Sequence, residues 1–251
     1  MRMTGNTILI TGGTSGIGRG LAEAFHDRSN RVIITGRRKA LLDEVSDARP
    51  DIVGFELDID KPASLARLSD DVQAQFPDLN VLIANAGISL AENVAGADWA
   101  ISDAEALIDT NITGTLRTIA AFLPMLKRRE DSVVLATSSK LAFVPLAAFP
   151  TYCATKAFMH SWLQSFRHQL RNMPIEVLEL LPPYVATKLT GDQQISDPRA
   201  MPLDAFITEV MQLLEAGDHV NGEILVERAR ADRAAEREGR YDAAFSLVNP
   251  Q

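Results

Sequence analysis

A single cysteine, Cys153, occurs in 251 residues. It has no partner for an internal disulfide and no histidine beside it at metal-ligand spacing. A disulfide-built scaffold and a structural zinc site are both excluded, and no metal is expected. Cysteine poverty of this kind suits a reducing compartment, the cytoplasm. Positive charge is in short supply too: 25 Lys and Arg stand against 33 Asp and Glu, a net charge of −8. That sign opposes a long phosphate backbone and an anionic membrane surface, which removes nucleic acid and membrane from the expected partners. Long apolar runs are missing. The one beginning at Thr7 meets Gly12 too soon for an export signal, and no stretch approaches the ~20 apolar residues of a membrane span. Repeats, low-complexity tracts and Pro/Gly/Ser-rich linkers are also absent, so residues 1–251 are expected to form one domain, divergent from about residue 190.

What the sequence does contain is an alternation of short β-branched runs with longer stretches of helical period. Residues 7–11, 31–35, 52–57, 81–84, 133–137, 175–181 and 223–226 read as strands. Between them, 16–29, 39–48, 62–76, 103–129, 151–172 and 203–216 are each long enough to cross a sheet as a helix. Runs such as Ile8-Leu9-Ile10 and Val32-Ile33-Ile34 are apolar on consecutive residues, as expected when helices cover both faces of a parallel sheet. The expected class is therefore α/β, a doubly wound parallel sheet of about seven strands. The charge-rich stretch 227–240 reads as a solvated helix or tail laced by ion pairs.

Directly after the first strand comes Thr11-Gly12-Gly13-Thr14-Ser15-Gly16-Ile17-Gly18, with a helix opening inside it. Gly12, Gly16 and Gly18 let the backbone turn tightly and approach a diphosphate. Thr14, Ser15 and Ile17 complete a turn whose free N–H groups and helix dipole favour an anion. At the end of the second strand stands Thr35-Gly36-Arg37-Arg38. No carboxylate is there to accept a ribose hydroxyl, whereas two guanidiniums can hold a 2′-phosphate by forked hydrogen bonds, so NADP(H) is expected over NAD(H). Otherwise Arg37 and Arg38 would only decorate the start of the next helix.

Together with this turn, Asn85-Ala86-Gly87 after the fourth strand and Tyr152-Cys153-Ala154-Thr155-Lys156 after the fifth make the chain resemble the short-chain dehydrogenase/reductase family over about residues 6–190. Within it the chain looks most like the bacterial oxidoreductases named after the lipoteichoic-acid D-alanylation operon. The resemblance implies a Rossmann-type sheet of order 3-2-1-4-5-6-7 and a catalytic set of Asn111, Ser139, Tyr152 and Lys156. It also implies cofactor contacts from Asp58 and Ile59 at the adenine, from Asn85, Ala86 and Gly87 along the ribose and diphosphate, from Tyr152 and Lys156, the lysine as a ribose-hydroxyl donor, and from Pro182, Val185 and Thr187 near the nicotinamide. Partners would be a small carbonyl or alcohol substrate and further copies of the chain, as a homodimer or homotetramer.

Elementary chemistry gives the same centre. Tyr152 and Lys156 lie one helical turn apart and share a face. An ammonium beside a phenol, helped by an oxidised nicotinamide, favours phenolate, and such a tyrosine can deliver a proton to a developing alkoxide or remove one. Ser139 ends a strand where its hydroxyl can orient the substrate oxygen; Ser138, of the same chemistry, reads as a loop hydrogen-bonder. The resemblance, not this chemistry, implies that Asn111 bends its helix and holds a relay water and that Asp58 serves the adenine, where it could otherwise cap the helix from Pro62.

The chain also departs from the family pattern. Ala84 precedes Asn85-Ala86-Gly87, Ala142 replaces a common glycine, and Pro182-Pro183 replaces Pro-Gly, removing a backbone donor. Pro183, Tyr184, Leu141, Phe143, Val144 and Phe149 are candidates for an apolar substrate wall. The alternative to an enzyme is a non-catalytic NADP(H)-binding sensor or scaffold protein, for which a full proton-transfer set has no use.

Overall fold

The computed structural model describes residues 1–250. Seven strands, β1 (Thr7–Thr11), β2 (Arg31–Gly36), β3 (Ile52–Glu56), β4 (Val81–Ala84), β5 (Ser132–Thr137), β6 (Ile175–Leu181) and β7 (Glu223–Leu225), form one sheet. Its order is β3-β2-β1-β4-β5-β6-β7 and every pairing is parallel. This is the Rossmann-type, doubly wound sheet expected.

Consecutive apolar residues in the strands divide between two cores. Ile8, Ile10, Val32, Ile34, Val81 and Ile83 pack on one face with Leu21 and Phe25 of α1 (Gly16–His26), Leu42 and Val45 of α2 (Lys39–Ala48) and Phe206 and Val210 of α7 (Leu203–Ala216). Leu9, Ile33, Leu82 and Val134 pack on the other with α3 (Pro62–Gln75), α5 (Thr115–Leu126) and α6 (Pro150–Leu170). Each fully buried side chain of this size contributes roughly 1.5–3 kcal/mol, so both faces must be covered. At the N-terminal edge Asn30 accepts from the Asn6 N–H at 3.0 Å, Asn80 accepts from the Thr7 N–H at 3.0 Å, and Asn80 Nδ2 donates to Asn6 Oδ1 at 3.0 Å. Three strand beginnings are thereby stitched together without an unpaired buried amide.

Two elements differ from expectation. The single helix expected over residues 103–129 is instead α4 (Ile101–Ile108), a π-helical turn (Asp109–Gly114) and α5. That turn widens the continuous helical segment around Asn111. The charged stretch 227–240 is α8 (Glu227–Ala234) followed by a loop, and it is not wholly solvated. Arg233 donates to both Glu223 oxygens at 2.8 Å, and Lys140 and Asp232 pair at 2.8 Å. The last helix is α9 (Tyr241–Val248). Among the described residues no helix is long and apolar enough to cross a membrane.

Candidate active site

The C-terminal tips of β1 to β6 open onto one cleft of about 980 Å³. Gly12, Thr14, Ser15, Gly16 and Ile17 line it from the β1 turn, Arg37 and Arg38 from β2, Asp58 and Ile59 from β3, and Asn85, Ala86 and Gly87 from β4. Ser139, Tyr152 and Lys156 line it from β5 and α6, and Pro182, Val185 and Thr187 from the β6 end. Of the residues expected to be catalytic or to contact the cofactor, Gly18 and Asn111 do not reach its surface.

The glycine turn is shaped by close approach. Gly12 has φ +68° and its missing Cβ would stand 3.0 Å from Ala86 Cα. At Gly18 a Cβ would come within 2.2 Å of the Gly12 carbonyl oxygen and 2.6 Å of Asn85 Nδ2, so this glycine seats α1 against the turn from behind. Gly13, not singled out earlier, has the same function toward β2: its Cβ would collide with Ile34 at 2.6 Å. Ser15 occupies the N-cap position of α1 with extended backbone, yet its hydroxyl caps nothing. The first-turn N–H groups are left for an anion, which suits a cofactor diphosphate. Arg37 and Arg38 are exposed at the cleft edge, and among the described residues neither has an ion-pair partner.

Asn85 is tied in by three bonds. Its N–H donates to Thr11 Oγ1 at 3.1 Å, its Nδ2 to the Thr11 carbonyl at 3.2 Å, and its Oδ1 accepts from Thr137 Oγ1 at 3.3 Å. Asp58 does not cap α3, whose N-cap position is Lys61. Its Oδ1 accepts from the Asp60 N–H at 3.2 Å, and Lys61 lies 3.3 Å from its other oxygen.

Tyr152 and Lys156 occupy the first turns of α6 and are both buried. Lys156 Nζ donates to the Thr137 carbonyl at 3.0 Å and stands 5.6 Å from the Tyr152 ring centre. Burial pushes the Tyr152 phenol well above its ordinary range, the neighbouring Cys153 thiol adds to this, and the Ser139 hydroxyl pulls the other way. The same burial pushes Lys156 down to about 8. Before cofactor binds, then, desolvation outweighs the phenolate-favouring influence of the lysine. Asn111 accepts from the Ile88 N–H and donates to the Ile88 carbonyl, both at 2.9 Å, and donates to Thr155 Oγ1 at 3.2 Å. A Cβ on Gly87 would meet Asn111 Oδ1 at 3.0 Å and Lys156 Nζ at 3.8 Å, so both groups flank one point behind the cleft.

The expected apolar wall is smaller than its candidates. Pro183 lines the cleft, whereas Val144 is core. Leu141 and Phe149 pack around Tyr152 and Cys153, Phe143 packs edge-on against His160, and Tyr184 donates its hydroxyl to Asp197 at 3.3 Å.

Three polar residues near the site carried no motif. Gln194 donates to the Val185 carbonyl at 2.7 Å and to Thr187 Oγ1 at 3.2 Å, and accepts from the Thr190 N–H at 2.9 Å, fixing the loop after β6. Glu92 accepts from the Thr151 N–H at 2.8 Å and its hydroxyl at 2.9 Å, steadying the start of α6. Glu179, in the middle of β6, contacts His160 and Ser138.

A parallel Rossmann sheet with a glycine turn, a basic second-strand tip and a Tyr/Lys pair defines a nucleotide-binding oxidoreductase fold. The short chain dehydrogenase family model matches residues 6–197. The chain is 36% identical over 255 residues to the protein called Uncharacterized oxidoreductase DltE of Bacillus subtilis (strain 168), across 100% of this chain and 99% of that one. It is 33% identical over 203 residues to an uncharacterized oxidoreductase of Myxococcus xanthus (strain DK1622), across 79% of each. Among solved structures, a short chain dehydrogenase from Burkholderia cenocepacia J2315 in complex with NADP superposes with a TM-score of 0.84 at 26% identity, covering 100% of both chains. The chain belongs to the short-chain dehydrogenase family.

Proposed function

We propose that the protein is an NADP(H)-dependent oxidoreductase interconverting a small carbonyl compound and its secondary alcohol. The observation that carries this reading is the convergence of Tyr152, Ser139 and Lys156 in a cleft that also presents Arg37 and Arg38. The tips of β2 and β5 are three strand spacings apart, about 14 Å, so the cleft can hold an extended dinucleotide with its phosphate end at the arginines. The complex of the Burkholderia cenocepacia relative with NADP supports the same choice.

Bound nicotinamide supplies or accepts the hydride. Everything else falls to side chains. Burial keeps the Tyr152 phenol protonated at neutral pH, the form from which a developing alkoxide can take a proton. Ser139 would hold the carbonyl oxygen beside that phenol. Lys156 would add positive charge behind it and donate to a ribose hydroxyl. The Asn111 side chain is committed to Ile88 and Thr155, so a relay water would be held by main-chain groups of the π-helical turn.

The test is NADPH consumption with a panel of phenanthrenequinone, diacetyl and an aromatic ketone. Turnover of at least one is expected. Tight NADPH binding without turnover of any would leave the sensor or scaffold alternative in its place. Cofactor choice is checked by fluorescence titration of NADPH and NADH. Arg37→Ala should weaken NADPH binding roughly ten- to a hundredfold, the usual loss when a charged hydrogen-bond partner is removed, and leave NADH binding nearly unchanged. Equal losses for both cofactors would contradict the assignment of the arginine to the 2′-phosphate.

A further inference from the structure

Glu179 is fully buried in the middle of β6, between Ala136 of β5 and Glu223 of β7. A carboxyl group there is costly compared with an apolar residue of similar size, and pairing it rarely recovers the difference in stability. Its contacts show where it acts. Ser138 Oγ donates to Glu179 Oε1 at 2.5 Å, and His160 Nδ1 lies 3.0 and 2.9 Å from the two carboxyl oxygens. His160, Glu179 and Glu223 are close enough to resemble a metal cluster. Cationic side chains already occupy that place, however: Arg233 engages Glu223, and Arg167 of α6 runs alongside with its Nε bonded to the Val177 carbonyl at 2.8 Å.

The meaning of the pair lies in spacing. Tyr152, Lys156 and His160 follow one another at single-turn intervals along α6. Each meets the tip of β5: Tyr152 faces the Ser139 hydroxyl, Lys156 bonds the Thr137 carbonyl, and His160 reaches Ser138 through Glu179. The last residue of β5 and the two that follow it are thus each linked to one of three successive turns of α6. Ser138, 1% exposed, is the central one, and its N–H is held by the Leu180 carbonyl at 2.9 Å.

We propose that Ser138, anchored through Glu179 to His160, is a positioning residue for catalysis. Its hydroxyl fixes the strand tip so that the Thr137 carbonyl on one side and the Ser139 hydroxyl on the other meet Lys156 and Tyr152 in reacting geometry. Rotation of Ser138 would displace both neighbours at once. This rests on the oxidoreductase reading above and adds to it a residue that lines the cleft but whose hydroxyl donates to Glu179.

The experiment compares wild type, Ser138→Ala, Ser138→Thr and Tyr152→Phe on the most rapidly reduced member of the carbonyl panel, with NADPH titration and melting temperature for each. Ser138→Ala should lower kcat about ten- to a hundredfold, the span of one strong hydrogen bond expressed as a rate. Substrate KM and NADPH affinity should stay close to wild type, while the melting temperature falls by a few degrees because the buried Glu179 carboxyl loses a donor. Ser138→Thr, which keeps the hydroxyl, should recover most of kcat. Wild-type kcat in Ser138→Ala would overturn the proposal, as would a parallel loss of kcat, NADPH binding and melting temperature. Tyr152→Phe separates the two readings: undiminished turnover in that variant defeats the oxidoreductase chemistry itself, whereas its inactivity beside a fully active Ser138→Ala defeats only the positioning.

Discussion

Tyr152→Phe is expected to bind NADPH nearly as tightly as wild type and to reduce carbonyl compounds about 10²- to 10⁴-fold more slowly, the usual contribution of a general acid. The substitution removes one oxygen from a side chain that is otherwise packed among Leu107, Cys153, Ile88, Leu141, Leu146 and Phe149, and all those contacts survive in phenylalanine. The hydroxyl is not part of the glycine turn or the arginine edge, so the loss in cofactor affinity should be small beside the loss in rate. Burial keeps that hydroxyl protonated in the free protein, so the tyrosine stands in the form that can give a proton. The measurement is single-turnover reduction followed by loss of NADPH absorbance. A rate within threefold or so of wild type, roughly 0.6 kcal/mol of barrier, would remove Tyr152 from the chemistry.

Lys156→Met should have two opposite effects. Turnover should fall by about a hundredfold or more, in the range of electrostatic contributions to a transition state, while the protein becomes more stable at neutral pH. Burial lowers the Lys156 ammonium from 10.5 to about 8, so the fold disfavours the charged form that the unfolded chain keeps. For a base whose folded value is depressed, the penalty is complete below about 8, shrinks as pH rises toward 10.5 and vanishes above it. A shift of that size corresponds to about 3 kcal/mol. Losing the bond to the Thr137 carbonyl returns about 1 kcal/mol, leaving a gain of roughly 2 kcal/mol at pH 7. Urea unfolding across pH 6 to 11 checks this: the advantage of methionine should be greatest at the acid end and disappear at the alkaline one. A flat difference across that range would show that burial does not perturb the lysine. The wild-type residue is then an example of stability given up for activity.

The strands were readable because both of their faces are apolar, and the cleft was readable because its glycines and its Tyr/Lys pair act over short sequence distances. The divided helix was not. One inserted residue in the turn at Asp109–Gly114 leaves the hydrophobic stripe on either side intact, so the period runs through the wider turn without a visible break. Asn111 was legible as a helix-disturbing residue, but its partners Ile88 and Thr155 come from different segments and carry no local mark. Glu92, Gln194 and Glu179 were invisible for the same reason. A glutamate in a strand reads as a solvent-facing position until its neighbours are known, and Ser138 lies 41 residues away from Glu179 along the chain. The stretch 227–240 misled in the other direction. Its charge density describes a solvated surface well, yet Arg233 stacks 4.6 Å over the Phe143 ring while bonding Glu223.

That reach of α8 toward the loop after Ser139 limits how the molecule can be recombined. Asp232 and Arg233 hold Lys140 and Phe143, so two segments far apart in the gene form a single mechanical part. A chimera that imports the tail of another oxidoreductase without its matching residues at 140 and 143 would leave Lys140 and Glu223 facing strangers. Shuffling to alter specificity in this scaffold should therefore exchange the two pieces as a set.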